Sequence, residues 1–114
     1  FLGRVKEVLE VHHVRFCGDP TSRVRRVAVC GGSGSSLLHA AIETRADVFV
    51  TADVKYHTFQ EARGKISLVD AGHYETERPV LNAVVERLRK AINERGDKVQ
   101  IVLTSTVTNP IFYH

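Results

Sequence analysis

The chain has no methionine, no tryptophan, two cysteines and three prolines among 114 residues. With no methionine and Phe1 in first place, the sequence is expected to be a processed or truncated piece of something longer. Cys17 and Cys30 show no C-x-x-C spacing, and one pair is too few for the disulfide framework of a small secreted domain. Reduced, buried thiols in a cytoplasmic protein are the expectation. No apolar run approaches the roughly 20 residues that cross a bilayer, so no membrane partner is expected. The first ten residues lack the basic segment and apolar stretch of a secretory signal. Disordered and collagenous chains are excluded as well, because 43% hydrophobic and 25% charged residues is the balance of a folded domain. Sixteen Lys and Arg against thirteen Asp and Glu leave a formal charge of +3. The basic residues are spread along the chain; Arg23, Arg25 and Arg26 form one group, which reads as a solvated turn rather than a nucleic-acid patch.

The length suggests one domain, and the hydrophobic pattern alternates between helical and strand periods. Leu2, Val5, Val8 and Leu9 recur at helical spacing. Residues 14–17 form a short strand candidate, followed by a turn at Gly18-Asp19-Pro20-Thr21. A strand is predicted over 24–29, then a Gly/Ser loop to Ser36 and a helix over 37–46. Residues 47–51 carry the continuous apolar core Val48-Phe49-Val50 of a strand covered on both faces. A helix over 54–63 ends at Gly64, and another short strand spans 66–69. The long helix is predicted over 77–95, with Gly96 to stop it, and a last strand over 99–103. The expected fold is α/β: a three-layer sandwich with a mainly parallel sheet and helices on both faces. In such sheets ligands gather at the carboxyl ends of the strands, and three polar segments fall there: 31–36, 51–57 and 70–77.

In the last of these, His73 and Glu77 stand four apart and can meet on one helical face. An imidazole nitrogen and a carboxylate suit Zn, Mn or Fe. The bland alternative is a helix start capped by Thr76, with Pro79 in its first turn and an exposed His. Asp53 and His57 follow a buried strand at the same spacing and could position a water or act as acid and base. Taken alone, they read as an Asp N-cap with a partly buried His on the following helix. The loop of Gly31, Gly32, Ser33 and Gly34 could receive an anion on its backbone N–H groups. Yet it lacks the Lys of a P-loop and the third Gly of the dinucleotide fingerprint, and a tight turn capped by Ser35 or Ser36 accounts for it as well. Ser35 also stands where a G-x-S-x-G elbow needs Gly, which argues against a Ser hydrolase. His39 reads as a core or interface residue, His12-His13 have no matching partner, and His114 reads as a solvated end.

Three segments carry a family likeness: Val27-Ala28-Val29-Cys30-Gly31-Gly32-Ser33-Gly34, Val50-Thr51-Ala52-Asp53-Val54-Lys55-Tyr56-His57, and Asp70-Ala71-Gly72-His73-Tyr74-Glu75-Thr76-Glu77. In order, spacing and strand-end placement the chain resembles the NGG-interacting factor 3-like family, also known as GTP cyclohydrolase 1 type 2 homologs. Asn109-Pro110-Ile111-Phe112-Tyr113 is similar to that family's tail, and Thr51-Ala52-Asp53 departs from its commoner Thr-Gly-Asp. The resemblance implies a two-lobed protein holding two divalent metal ions between its lobes, with His73 and Glu77 as the C-terminal lobe's ligands. The N-terminal lobe's His-His segment and Asp have no counterpart here, since His12-His13 belong to the leading segment of the C-terminal lobe. Residues 1–114 therefore look like the C-terminal lobe alone, starting after the point where some members carry a PII-like insertion. The implied partners are the N-terminal lobe and further copies in a hexameric ring. The implied chemistry is metal-dependent hydrolysis of a nucleotide such as GTP, with Asp53 and His57 moving protons and Gly31, Gly32, Ser33 and Gly34 holding an anion. The alternative is a non-catalytic metal-binding module linked to transcription. By itself the chain is expected to be inactive, because a dinuclear site needs ligands on both ions.

Overall fold

A computed structural model describes residues 1–112. The expected solvated end at His114 lies outside them, as does Tyr113. Residues Phe1–Glu77 form one compact unit, and a second begins at Arg78.

The first unit is built on one four-stranded sheet, in the order β1-β4-β3-β2. Its strands are β1 (Arg15–Cys17), β2 (Val27–Ser33), β3 (Val48–Ala52) and β4 (Ser67–Asp70). β2, β3 and β4 run parallel, with Val29 opposite Val50 and Val50 opposite Val69, while β1 pairs antiparallel with β4. The helices are α1 (Leu2–Leu9), α2 (Leu38–Glu43), α3 (Tyr56–Ala62) and α4 (His73–Glu77). Alternation along the strands divides the core in two. Phe49 and Leu68 point to the side where Leu38 and Ala41 of α2, Ala62 of α3, Val54 and Ile66 close over them. Val48, Val50 and Val69 point to the other, where Val5, Leu2 and Leu9 of α1 cover them. Helices thus lie on both faces, and all five residues of β3 are buried, as its unbroken apolar run requires.

Several elements depart from the sequence reading. β2 begins later than expected and runs through Cys30-Gly31-Gly32-Ser33, which read as loop. Between the pairs Val29↔Val50 and Ser33↔Ala52 it advances four residues while β3 advances two, so the strand bulges at the glycines. The helix expected over 37–46 is a 3₁₀ turn at Ser35–Leu37 followed by the short α2. The helix expected over 77–95 is two: α4 ends at Glu77, and α5 (Val80–Arg95) starts after Pro79, whose ring leaves its nitrogen without a proton for a continuous ladder.

The second unit consists of α5 and an extended tail. Gly96 ends α5 in the left-handed region, at φ 74. The strand expected over 99–103 is absent among the described residues, and Val99 and Val102 are exposed. An apolar run takes strand form only where a second strand supplies ladder partners, and none pairs with this run among the described residues. Among the described residues no helix is long and apolar enough to cross a membrane.

Candidate metal centre

The three polar segments do meet at the carboxyl ends of β2, β3 and β4. The bulge brings Gly32, at φ 63, against α4, where its N–H donates to Thr76 Oγ1 at 2.9 Å. Its carbonyl accepts from Thr51 Oγ1 at 3.0 Å, from the end of β3. Thr76 in turn donates back to the carbonyl of Gly72 or His73. The expected cap is therefore a stitch that holds α4 on β2.

α4 starts almost directly from β4. Gly72, at φ 89, makes the corner, and a Cβ there would stand 2.1 Å from Glu75 Oε2. The next residue is His73, and its ring lies between two carboxylates. Nδ1 is 2.6 Å from Asp53 Oδ2, and Nε2 is 3.2 Å from Glu77 Oε1. All three side chains are about half exposed, at 46%, 49% and 55%. The hydrogen bond that His73 Nδ1–H donates to Asp53, reinforced by the charge of Glu77 and only partly offset by desolvation, raises the His73 pKa above its ordinary value.

Asp53 reaches His73 because its backbone takes the left-handed conformation at φ 53, which a side chain tolerates only where the surroundings fix it. Here the fixing group is Asp70, 7% exposed at the end of β4. Its carboxylate accepts from Val54 N–H at 2.9 Å, from Gly72 N–H at 3.2 Å and from the Arg15 guanidinium. One buried carboxylate thus ties down both the turn that carries Asp53 and the corner that carries His73. Arg15, Thr51, Asp70 and Thr76 were not foreseen as site residues. Asp70 and Thr76 stood inside the third segment and carried a signal, whereas nothing local in the sequence links Arg15 to Asp70.

Asp53 does not cap α3, whose N-cap is Lys55. His57 sits in the first turn of α3, exposed, with its ring edge-on to Tyr56 at 5.6 Å. The described residues include no hydrogen bond from His57 to Asp53, His73 or Glu77. Gly31, Gly32, Ser33 and Gly34 lie at the site, but the Gly32 N–H is already taken by Thr76. No side chain caps the 3₁₀ turn or α2, and Ser35 Oγ is buried without a partner among the described residues. His39 lies on the surface paired with Glu61 at 2.8 Å rather than in the core, and His12 and His13 are exposed.

The donor set fits half of a divalent-metal site. Two donors that share one zinc ion at about 2.0–2.2 Å lie roughly 3–3.6 Å apart, and Nε2 and Oε1 are separated by 3.2 Å. Asp53 on the opposite ring nitrogen is the carboxylate–imidazole arrangement that fixes a ligand's tautomer. A Cβ on Gly32 would stand 2.4 Å from Glu77 Oε1 and 3.1 Å from His73 Nε2, so glycine keeps open the space beside both donors. Among the described residues no third His, Cys, Asp or Glu completes the set.

The family model for Duf34/NIF3 (NGG1p interacting factor 3) matches residues 1–110. A Nostoc protein named GTP cyclohydrolase 1 type 2 homolog is 51% identical over 67 residues, covering 58% of this chain and 26% of its own length. A Bacillus subtilis protein of the same name is 37% identical over 110 residues, covering 96% of this chain and 29% of its own. The crystal structure of a Staphylococcus aureus hypothetical protein superposes with a TM-score of 0.89 at 30% identity, over 96% of this chain and 36% of that one. The chain spans under a third of the length of either curated relative. With almost its whole length matched in sequence and in fold, the chain belongs to the Duf34/NIF3 family.

Proposed function

We infer that this chain is a divalent-metal-binding lobe, with His73 Nε2 and Glu77 Oε1 as its ligands to one side of a two-metal site. The observation that carries this reading is the 3.2 Å separation of those atoms, with Asp53 holding the far ring nitrogen. In this assignment Asp53 orients the imidazole and makes Nε2 the more basic donor. Gly32 leaves room for the ion, and Thr76 and Asp70 hold the two segments in register. The remaining ligands would come from an N-terminal lobe joined to this one, with Zn, Mn or Fe as the ion. A cytoplasmic setting, where Cys17 and Cys30 stay reduced, suits such a protein.

For the joined protein we propose metal-dependent hydrolysis of a nucleotide, GTP in the first instance, a substrate class taken from the names of the curated relatives. When bound, the metal pair would supply a hydroxide at neutral pH and polarise the bond to be cleaved. His57, exposed in the first turn of α3, would pass protons to solvent, and the 31–34 segment would border the substrate's anionic part. The lobe alone would bind metal weakly and hydrolyse nothing, since catalytic zinc ordinarily has three protein ligands.

Isothermal titration of the chain with Zn²⁺ and with Mn²⁺, repeated on Glu77→Ala, tests the ligand assignment. Weak binding that disappears in the variant is expected; tight stoichiometric binding that survives it would place the metal elsewhere. GTP turnover by the joined lobes with metal, lost in Glu77→Ala, tests the reaction separately. A metal-loaded protein that turns over no nucleotide would favour a binding module.

A further inference from the structure

β1 runs antiparallel to β4 at the edge of the sheet, and its Arg15 stands opposite Asp70. Cross-strand partners project to the same face, here the face that α3 covers. Arg15 Nη2 donates to the Asp70 carboxylate and also to the Val54 carbonyl, the latter at 2.7 Å. The guanidinium carbon lies 5.5 Å from the centre of the Phe59 ring, within cation–π range. Two residues on, from the same side of β1, the Cys17 thiol donates to the Phe59 carbonyl at 3.7 Å. One arginine therefore touches the end of β4, the turn between β3 and α3, and α3 itself.

These contacts converge on the turn that carries Asp53. Val54 is held at its N–H by Asp70 and at its carbonyl by Arg15. The residue before it, Asp53, is in the left-handed region at φ 53, and its carboxylate lies 2.6 Å from His73 Nδ1. A residue in that region keeps its conformation only while its surroundings over-determine it. Removing the guanidinium would free the Val54 carbonyl and leave Asp70, 7% exposed, without this counter-charge. Both effects fall on the hold that keeps Asp53 against His73. The Arg15 side chain is itself 62% exposed, so truncating it leaves no void in the core.

We propose that Arg15 is a positioning residue for the metal centre. It bonds to neither donor; by gripping Asp70 and the Val54 carbonyl it keeps Asp53 on His73 Nδ1, and so leaves Nε2 as the nitrogen that meets the ion. The proposal rests on the reading of His73 and Glu77 as ligands, and it adds a determinant of their affinity from an edge strand of three residues. Both of its bonds come from one nitrogen. An ammonium reaching the same place could therefore make them too, whereas an apolar side chain could make neither.

The test reads two quantities on the full chain. One is Zn²⁺ affinity by isothermal titration; the other is the tautomer of His73, from its ring ¹⁵N shifts without metal and with the ring neutral. In Arg15→Ala, Zn²⁺ should bind about tenfold more weakly, the lower end of what losing an outer partner of a ligand costs. His73 should shift in the same variant from the Nδ1–H form toward the Nε2–H form. Arg15→Met, which keeps apolar contact with Phe59 but has no donor, carries the same expectation should Arg15→Ala not fold. Arg15→Lys should recover most of both readouts. In an Asp53→Asn background, Arg15→Ala should weaken Zn²⁺ by less than about twofold further, because its route to the ligand is already cut. Gly64→Ala strains the backbone at the far end of α3, with nothing within 4 Å of the new methyl, and should move neither readout. Affinity and tautomer unchanged in Arg15→Ala, or the full loss repeated in the Asp53→Asn background, would overturn the proposal. Zn²⁺ binding that survives Glu77→Ala would instead overturn the ligand assignment, and the tautomer, read without metal, would still decide whether Arg15 holds Asp53 against His73.

Discussion

Replacing Gly32 by Ala separates the cost of a backbone conformation from the cost of crowding a site. Gly32 sits at φ +63, and so a side chain there meets the left-handed penalty of about 1–2 kcal/mol. Part of this is returned, about 0.4–1 kcal/mol, because Ala has less freedom than Gly in the unfolded chain. A net loss of about 1 kcal/mol is expected, or a fall of up to about 1 M in the urea midpoint. Gly64 is the control. It has φ +75 with nothing within 4 Å of its would-be Cβ, so Gly64→Ala carries the same backbone penalty and no collision. At Gly32 the new methyl would meet Glu77 Oε1 at 2.4 Å and His73 Nε2 at 3.1 Å. Glu77 is half exposed and flexible, so it swings away at little cost to stability, but the 3.2 Å donor pair is lost. The two variants should therefore match in urea and differ in metal. Gly32→Ala should weaken Zn²⁺ binding by at least about tenfold, the lower end of what disturbing even an outer partner of a ligand costs. Gly64→Ala should leave it unchanged. Equal metal affinity in the two variants would refute the reasoning.

Three further outcomes follow from the same structure. Asp70→Asn removes the charge that holds Arg15, Val54 N–H and Gly72 N–H, and should destabilise the first unit by about 2 kcal/mol in urea unfolding; a change under about 0.5 kcal/mol would mean that the turns hold themselves. Leu68→Ala, at a fully buried position between the helices and the sheet, should cost about 3 kcal/mol by the same measurement. In the metal-free chain, ring-proton NMR should give His73 a pKa above 6.5 that falls toward the ordinary value in Asp53→Asn. A folded pKa above the unfolded one means the His73⁺–Asp53 contribution is complete below about 6.5 and fades as pH rises through the folded value; stability of the variant should be flatter across that window.

Most of the sheet was legible because it follows from burial. The run Val48-Phe49-Val50 has to be covered on both faces, and it is the central strand β3. The positions of His73 and Glu77 were also legible, since a spacing of four on a helix brings two side chains together whatever surrounds it. What failed depends on partners distant in sequence. The bulge in β2 is a mismatch with β3 and leaves no mark beyond two adjacent glycines. The run 99–103 has a strand's composition, but composition supplies no ladder partner. Asp53 reads as a helix cap until the structure places His73 2.6 Å from it. His39, among leucines and alanines, is on the exposed side of α2, whose buried face is Leu38 and Ala41, and pairs there with Glu61 of α3.

The central claim is that this lobe holds a divalent ion between His73 and Glu77, and paramagnetic Mn²⁺ locates such an ion directly. Added in trace amounts to the chain, it should broaden the amide signals of Gly31, Gly32, Asp53 and residues 73–77 first, and that pattern should vanish in Glu77→Ala. Broadening that centres on another part of the chain, or that persists unchanged in Glu77→Ala, would contradict the account.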